Sequence, residues 1–324
     1  MGLLYLASEV LKHIFTKKKD MTKVNYGYAC LNETLKAQDI TTNRSLKKAT
    51  LDKKGLEYCS SLAVQNIRDL EKILQWNVKN DLLFFRMSSN IIPWGNKLNW
   101  FEFKDFDEIK EILQRCGKYA KEQNLRLTMH PGQFCILTSP HQHVIDNSVS
   151  DLQMHSDIMD LMDLSATPFN KINIHMGAAY GDKIETAKTF VKNFNLLPSQ
   201  IKSRLTIEND DKAAMYSTRE LYDLVHQEVG IPIVFDYHHH KFCTGNQTEE
   251  EALKLAASTW NDVKPIVHYS ESKCINEGLK VRMQAHSDYL FNKVELYGMD
   301  VDVMMECKMK ETAVLKYKEK FNIN

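Results

Sequence analysis

Histidines and carboxylates recur at matching places along this chain. His130, His175, Glu208 with Asn209, Asp236 with His238, His239 and His240, His268, and Glu306 with Lys308 each stand at or near the end of a short β-prone run. His286 lies between the last two. One histidine at such a place is usually a satisfied core or surface residue. Seven separate positions are a different matter, because burying them together without partners costs about 1–3 kcal/mol for each unsatisfied group. Imidazoles mixed with carboxylates, with no thiolate among them, suit Zn²⁺, Mn²⁺ or Fe²⁺. The set exceeds the four ligands of a single zinc. Two or three ions sharing carboxylates fit it better, and such clusters clamp the attacking and leaving oxygens of phosphoester hydrolysis.

These side chains need elements that bring them to one place. The β-prone runs fall at 24–30, 82–88, 126–130, 171–176, 204–209, 231–237, 265–270 and 302–307. Several are nearly continuous in apolar residues, as expected of parallel strands buried on both faces. Helical spacing of three or four separates them: Val64, Ile67, Leu70 and Leu74; Phe106, Ile109, Ile112, Leu113 and Cys116; Ile158, Leu161 and Met162; Ala187, Phe190, Val191 and Phe194; Leu221, Leu224 and Val225; Ala252, Leu255 and Ala256. Val314, Leu315 and Phe321 mark the last helix. The weaker segment 270–286 reads as a loop leading into a helix near 287–297. Eight such alternations predict an α/β protein, a (β/α)8 TIM barrel, in which every strand C-terminus opens on the same face. A doubly wound sheet is the structural competitor, but the chain has neither GxGxxG nor GxxxxGK[ST]. No linker divides it, so the reading is a barrel domain over 23–324 behind an extension over 1–22. Within that extension residues 3–15 read as a short amphipathic helix, with a targeting peptide as the alternative.

Composition narrows the partners. Hydrophobic residues make up 43% and charged residues 26%, values of an ordinary globular protein. Lys plus Arg and Asp plus Glu both number 42. Nucleic-acid binding therefore calls for a local basic patch rather than a global field. The seven cysteines form no CxxC and are odd in number, which argues against a disulfide scaffold or zinc ribbon and for free thiols in a reducing compartment. No apolar run is long enough to span a membrane. There is no GxSxG elbow. A Cys135–His130 nucleophile pair is weak, the lysine-rich 47–54 stretch reads as a solvated face, and His141 and His143 read as surface residues. The expected protein is soluble and monomeric, in the cytoplasm or nucleus, with no obligate protein partner.

In order along 25–315 stand GYACLN (27–32), TTNR (41–44), RMSSNIIPW (86–94), RLTMHPGQF (126–134), NIHMGAAYGDK (173–183), IENDDK (207–212), VFDYHHH (234–240), VHYS (267–270), AHSDY (285–289) and DVMMECKMKE (302–311). In these motifs the chain resembles the UV damage endonucleases, TIM-barrel DNA-repair enzymes. The resemblance implies incision of the backbone immediately 5′ to cyclobutane pyrimidine dimers and 6-4 photoproducts, with abasic sites as further substrates, in damaged double-stranded DNA. It implies two or three divalent ions, manganese first, with zinc, magnesium or cobalt as alternatives. The ligands would be His130, His175, Glu208, Asp236, His239, His268, His286 and Glu306, with His239 taken over its neighbours from the family spacing. Glu208, Glu306 and Lys308 would carry the chemistry. Tyr28, Asn32, Gln133 and Phe134 would face the lesion, and Arg44, Lys183 and Lys212, beside matched motifs, would meet phosphates.

Two positions depart from the family pattern. Ile266 stands where some relatives carry a modifiable lysine that joins the metal site, and Phe134 stands where tyrosine is common. The rival readings are another metal barrel, an abasic-site endonuclease or a sugar isomerase, and an inactive barrel that only binds damaged DNA.

Overall fold

The computed structural model describes residues 23–323, so the helix expected over 3–15 lies outside the described residues. All eight expected strands form: β1 (Tyr26–Ala29), β2 (Phe84–Arg86), β3 (Arg126–Thr128), β4 (Ile172–His175), β5 (Leu205–Glu208), β6 (Ile233–Asp236), β7 (Ile266–Tyr269) and β8 (Asp302–Met305). They are parallel and hydrogen-bond in the order β3-β2-β1-β8-β7-β6-β5-β4. A single bridge at Met129–Ile172 joins the two ends. There the Met129 amide donates to the Lys171 carbonyl at 2.9 Å and the Asn173 amide to the Met129 carbonyl at 3.0 Å. The sheet closes into a (β/α)8 barrel.

The outer helices are α1 (Lys48–Lys79), α2 (Phe106–Glu122), α3 (Gln142–Leu161), α4 (Lys183–Leu196), α5 (218–229), α6 (Glu249–Ser258) and α7 (Lys310–Lys320). Each turns inward the apolar stripe that its spacing announces; in α1 this is Val64, Ile67, Leu70 and Leu74. Starts are fixed by side-chain caps. Asp182 accepts from the first amides of α4, and Ser217–Glu220 and Thr248–Glu251 form reciprocal capping boxes on α5 and α6. Helix α2 runs so close to the end of α3 that a Cβ on Gly117 would stand 1.8 Å from the Met162 carbonyl oxygen. Only glycine fits there. No described helix is long and apolar enough to cross a membrane.

One expectation fails. Residues 287–297 form no helix, although Leu290 and Val294 keep helical spacing and are buried. Their neighbourhood satisfies the backbone by other means. The buried Glu271 carboxylate accepts the Phe291 amide at 3.1 Å and the Asn292 amide at 2.8 Å, and the Tyr317 hydroxyl accepts the Val294 amide at 2.9 Å. With those donors taken, a helical ladder has nothing left to offer.

The barrel interior is layered. At its floor Arg126 pairs with Asp302 at 2.9 Å, both buried. Ala29, Phe84, Val234, Ile266 and Met304, with Trp260 from outside, make a small apolar layer of their own. Polar strand-end residues lie beyond it, at the mouth.

Candidate metal centre

The centre is built by period two. Side chains of alternate strand residues enter the barrel, so Lys171, Asn173 and His175 around β4 share the inner face, as do Thr206 and Glu208 of β5. Thr206 donates to Asn173 Oδ1 at 2.7 Å, and the Asn173 amide donates to Glu208.

Glu208 stands at the middle, buried, with four imidazoles around it. Its Oε2 lies 3.4 Å from His130 Nε2 and 3.8 Å from His175 Nε2. Its Oε1 lies 3.1 Å from His268 Nδ1 and 3.4 Å from His239 Nδ1. Glu306 approaches His268 Nδ1 at 3.2 Å. Three groups keep their ligand atoms within 4.8 Å of one another: His130, His175 and Glu208; Glu208, Asp236 and His239; Asp236, His268 and Glu306. Glu208 belongs to two of them and Asp236 to two, so the groups share carboxylates.

Ring orientation says what belongs between these atoms. His130 Nδ1 lies 2.9 Å from the Pro131 carbonyl, to which it can only donate. Burial, opposed by Glu208, pushes the ring down to about 4, so it is neutral. Its Nε2 therefore presents a lone pair to the Glu208 carboxylate, and two acceptors facing each other at this distance call for a cation. His239 is turned differently: its Nδ1 lies 2.9 Å from the Asn209 carbonyl and also faces Glu208. Burial opposes charge on this ring, but the Asp236 and Glu208 carboxylates outweigh it and raise its pKa. Asp236 caps the turn Tyr237–His240 through Oδ1, which accepts the His239 amide at 2.7 Å. Its buried Oδ2 has no hydrogen-bond partner among the described residues. The donor set, the orphaned oxygen and the opposed lone pairs fit divalent ions.

The same turn separates the three consecutive histidines. His239 alone reaches the carboxylates. His238 is buried edge-on against Phe242, and His240 packs on Phe235 at 5.2 Å between ring centroids. His286 stands at the edge, its ring 6.5 Å from that of His239. It joins none of the three tight groups, and its buried Nδ1 has no hydrogen-bond partner among the described residues.

Sequence reasoning missed three supporting residues. Lys171, fully buried, places Nζ 3.2 Å from His268 Nε2, and burial brings it down to about 7. The Arg86 guanidinium bonds Glu306, and Asp210 lies 3.2 Å from His175 Nδ1. The alternation leading back from His175 through Asn173 could have found Lys171. Ile266, in the position of the family's modifiable lysine, is buried in the apolar layer.

The residues expected at DNA divide. Gln133 and Phe134 lie exposed on the loop after β3, with Phe134 80% exposed beside a cavity of about 490 Å³ that His141, His143 and Tyr180 also line. Lys308 and Lys212 are exposed. Tyr28 and Asn32 correct the expectation. Both are buried, with the Tyr28 hydroxyl donating to Asn77 at 2.6 Å and accepting from Asn32 at 2.9 Å, so they brace the end of β1 and offer a lesion no surface. Arg44 is likewise engaged, by Asp69 at 2.7 Å and the Thr41 carbonyl, and Lys183 pairs with Glu220 at 2.7 Å. Both cations are thus paired within the fold.

Protons hold this cluster together when protein groups act alone. Burial opposes charge on His175, but Glu208 and Asp210 outweigh it and raise the ring to about 10. Burial, with Glu208 and Glu306 nearby, raises Asp236 to about 7. A divalent ion must displace the proton on His175 and meet an ionised Asp236, so metal affinity should fall as pH falls from 8 to 6. Calorimetric titration in two buffers of different ionisation enthalpy should show proton release at pH 7; buffer-independent heats would overturn this.

The comparisons agree with the geometry. Residues 24–323 match the family model described as UV-endonuclease UvdE. The chain is 33% identical over 309 residues to the UV-damage endonuclease of Schizosaccharomyces pombe, covering 92% of this chain but spanning only half the length of that relative. It is 33% identical over 300 residues to the UV DNA damage endonuclease of Clostridium perfringens, covering 90% of this chain and 69% of the relative. Among solved structures it is similar to the crystal structure of SacUVDE, with a TM-score of 0.80 and 31% identity over 93% of this chain and all of the other.

Proposed function

The chain belongs to the UV-endonuclease UvdE family, and from that premise we propose that it is a metal-dependent DNA-repair endonuclease that incises the backbone immediately 5′ to UV lesions. Cyclobutane pyrimidine dimers and 6-4 photoproducts would be its substrates, with abasic sites as a further class. The barrel from residue 23 onward would be one catalytic domain, with 1–22 an extension. The observation that carries the reading is the gathering of three imidazole–carboxylate groups that share Glu208 and Asp236, with His130 Nε2 3.4 Å from Glu208 Oε2.

In this reading His130, His175, Glu208, Asp236, His239, His268 and Glu306 hold two or three divalent ions, manganese first, and His286 completes the set from the edge. Bound there, the ions supply the Lewis acidity that makes water a nucleophile at neutral pH and steadies the leaving oxygen. The protein's own groups do the rest. Arg86 holds Glu306 ionised, its carboxyl well below the usual range despite burial. Asp210 fixes the His175 ring, and the Pro131 and Asn209 carbonyls fix those of His130 and His239. Lys308 extends into solvent beside Glu306, where it meets the phosphate. Leaving through the 3′ oxygen gives 3′-OH and 5′-phosphate ends.

The test is an end-labelled duplex carrying one thymine dimer, incubated with the protein and Mn²⁺. We expect one cut directly 5′ to the dimer, none in the undamaged duplex, and none after EDTA. Cutting that survives EDTA would remove the metal mechanism, and a metal-loaded protein that leaves the duplex intact would remove the endonuclease reading.

A further inference from the structure

The β7–β8 connection does more than carry His286. The Lys273 amide donates to the Ala285 carbonyl at 2.7 Å, and the Ser287 amide to the Glu271 carbonyl at 2.8 Å. Ser272 and His286 form an antiparallel bridge. Residues 273–285 are therefore an excursion closed at its base, and one residue of that base is a candidate ligand. The outer part, 278–283, reads Gly-Leu-Lys-Val-Arg-Met and is exposed throughout.

Its composition is unusual for a solvated loop. Leu279, Val281 and Met283, with Ile275 on the short helix Lys273–Glu277 before them, are four of the twelve large apolar side chains that the described residues expose. Lys280 and Arg282 alternate with them, no acidic residue intervenes, and neither cation makes an ion pair among the described residues. Exposed apolar side chains gathered in one short segment mark a contact surface rather than ordinary scatter. In a protein with no net charge, two free cations there select an anionic partner.

Position selects the partner further. The excursion follows β7, so it rises on the mouth, and the Gln284 amide reaches the Asp211 carbonyl in the loop after β5. In the closed ring of eight, β7 stands opposite β3, whose loop carries the exposed Phe134. The carboxylate–imidazole cluster lies between them. Ligands sunk in a barrel mouth reach a phosphodiester of paired DNA only if the duplex bends or its nucleotides leave the stack. Apolar side chains pushed between base steps produce such a bend.

We propose that the 278–283 segment is a second duplex-contacting wedge. Leu279, Val281 and Met283 enter the DNA on the rim opposite Phe134, and Lys280 and Arg282 hold the flanking phosphates. This rests on the endonuclease reading and deepens it.

The experiment compares the metal-loaded full-length wild type with L279S/V281S/M283S and with K280A/R282A, using a thymine-dimer duplex. The wild type is the control for the underlying reading: if it neither binds nor nicks the duplex, that reading fails whatever the variants do. Given a competent wild type, the triple variant should keep its melting temperature and metal content and bind the dimer duplex at least about tenfold more weakly. 2-Aminopurine beside the dimer should brighten less with it, because less unstacking follows. K280A/R282A should flatten the plot of log affinity against log salt by about two, near 0.9 per lost phosphate contact. Both cations are exposed, so this variant carries the test if the triple variant unfolds. Affinities within twofold of wild type and an unchanged slope would overturn the proposal. So would a wild type that dimerises in sedimentation while the triple variant is monomeric, which would make a second copy of the chain the occupant.

Discussion

The Glu208→Gln protein should bind its divalent ions about 10²–10⁴-fold more weakly and lose nicking of dimer-containing DNA. Four imidazoles converge on this one buried carboxylate, and two of the three ligand groups share it. Glutamine keeps the shape and removes the charge. Removing one partner from a buried charged network costs about 3–5 kcal/mol, and each 1.4 kcal/mol is tenfold in a binding constant. Metal titration by calorimetry measures the loss directly. Native metal affinity in the variant would mean that Glu208 is not a ligand, and native nicking would remove it from the mechanism. Glu306→Gln should differ in kind. It takes the anionic partner from the largely buried Arg86 guanidinium, so its melting temperature should drop along with its activity.

The second large effect is expected at the mouth. Phe134→Ala should weaken binding to dimer-containing duplex by about five- to 150-fold, because stacking of one base on an aromatic ring is worth roughly 1–3 kcal/mol. Metal content and melting temperature should stay at wild-type values, since the ring is 80% exposed and supports no core. Phe134 lies four residues beyond His130, so on the proposed reading the ring that would fill the gap left by displaced bases is carried by the chain that would carry a ligand. A variant that binds the dimer duplex normally would take Phe134 out of recognition. Loss of fold would contradict the exposure on which the prediction rests.

What could be read in the sequence follows from where the information sits. The eight strands were legible because a parallel strand buried on both faces needs an apolar run, and such runs are local. The strand-end histidines and carboxylates that cluster were legible for the same reason, each closing its own run. Lys171 and Arg86 were not. Their partners, His268 and Glu306, come from strands far along the chain, and only barrel closure brings them together. Choosing among His238, His239 and His240 needed the Asp236 cap, which turns one ring toward the carboxylates, another between Phe242 and His286, and the third onto Phe235. The helix expected over 287–297 failed because a side chain some twenty residues back along the chain, Glu271, took backbone donors that spacing alone assigned to a helix. Arg44 and Lys183 lay beside matched motifs, yet their charges are spent on Asp69 and Glu220, and sequence proximity does not report that.

The Ser272–His286 bridge has a consequence for how this barrel could diversify. Chain enters and leaves the excursion through residues paired across a single bridge, a spacing of only about 5 Å. Below that junction, Glu271 anchors the return path by accepting the Phe291 and Asn292 amides. The exposed 278–283 tip could be shortened, lengthened or exchanged while Asn276 still bonds Glu271 and Glu277 still accepts the Asp288 amide. The barrel thus offers a socket for interchangeable inserts, and a segment grafted there would arrive beside the reaction centre with its footing already in place.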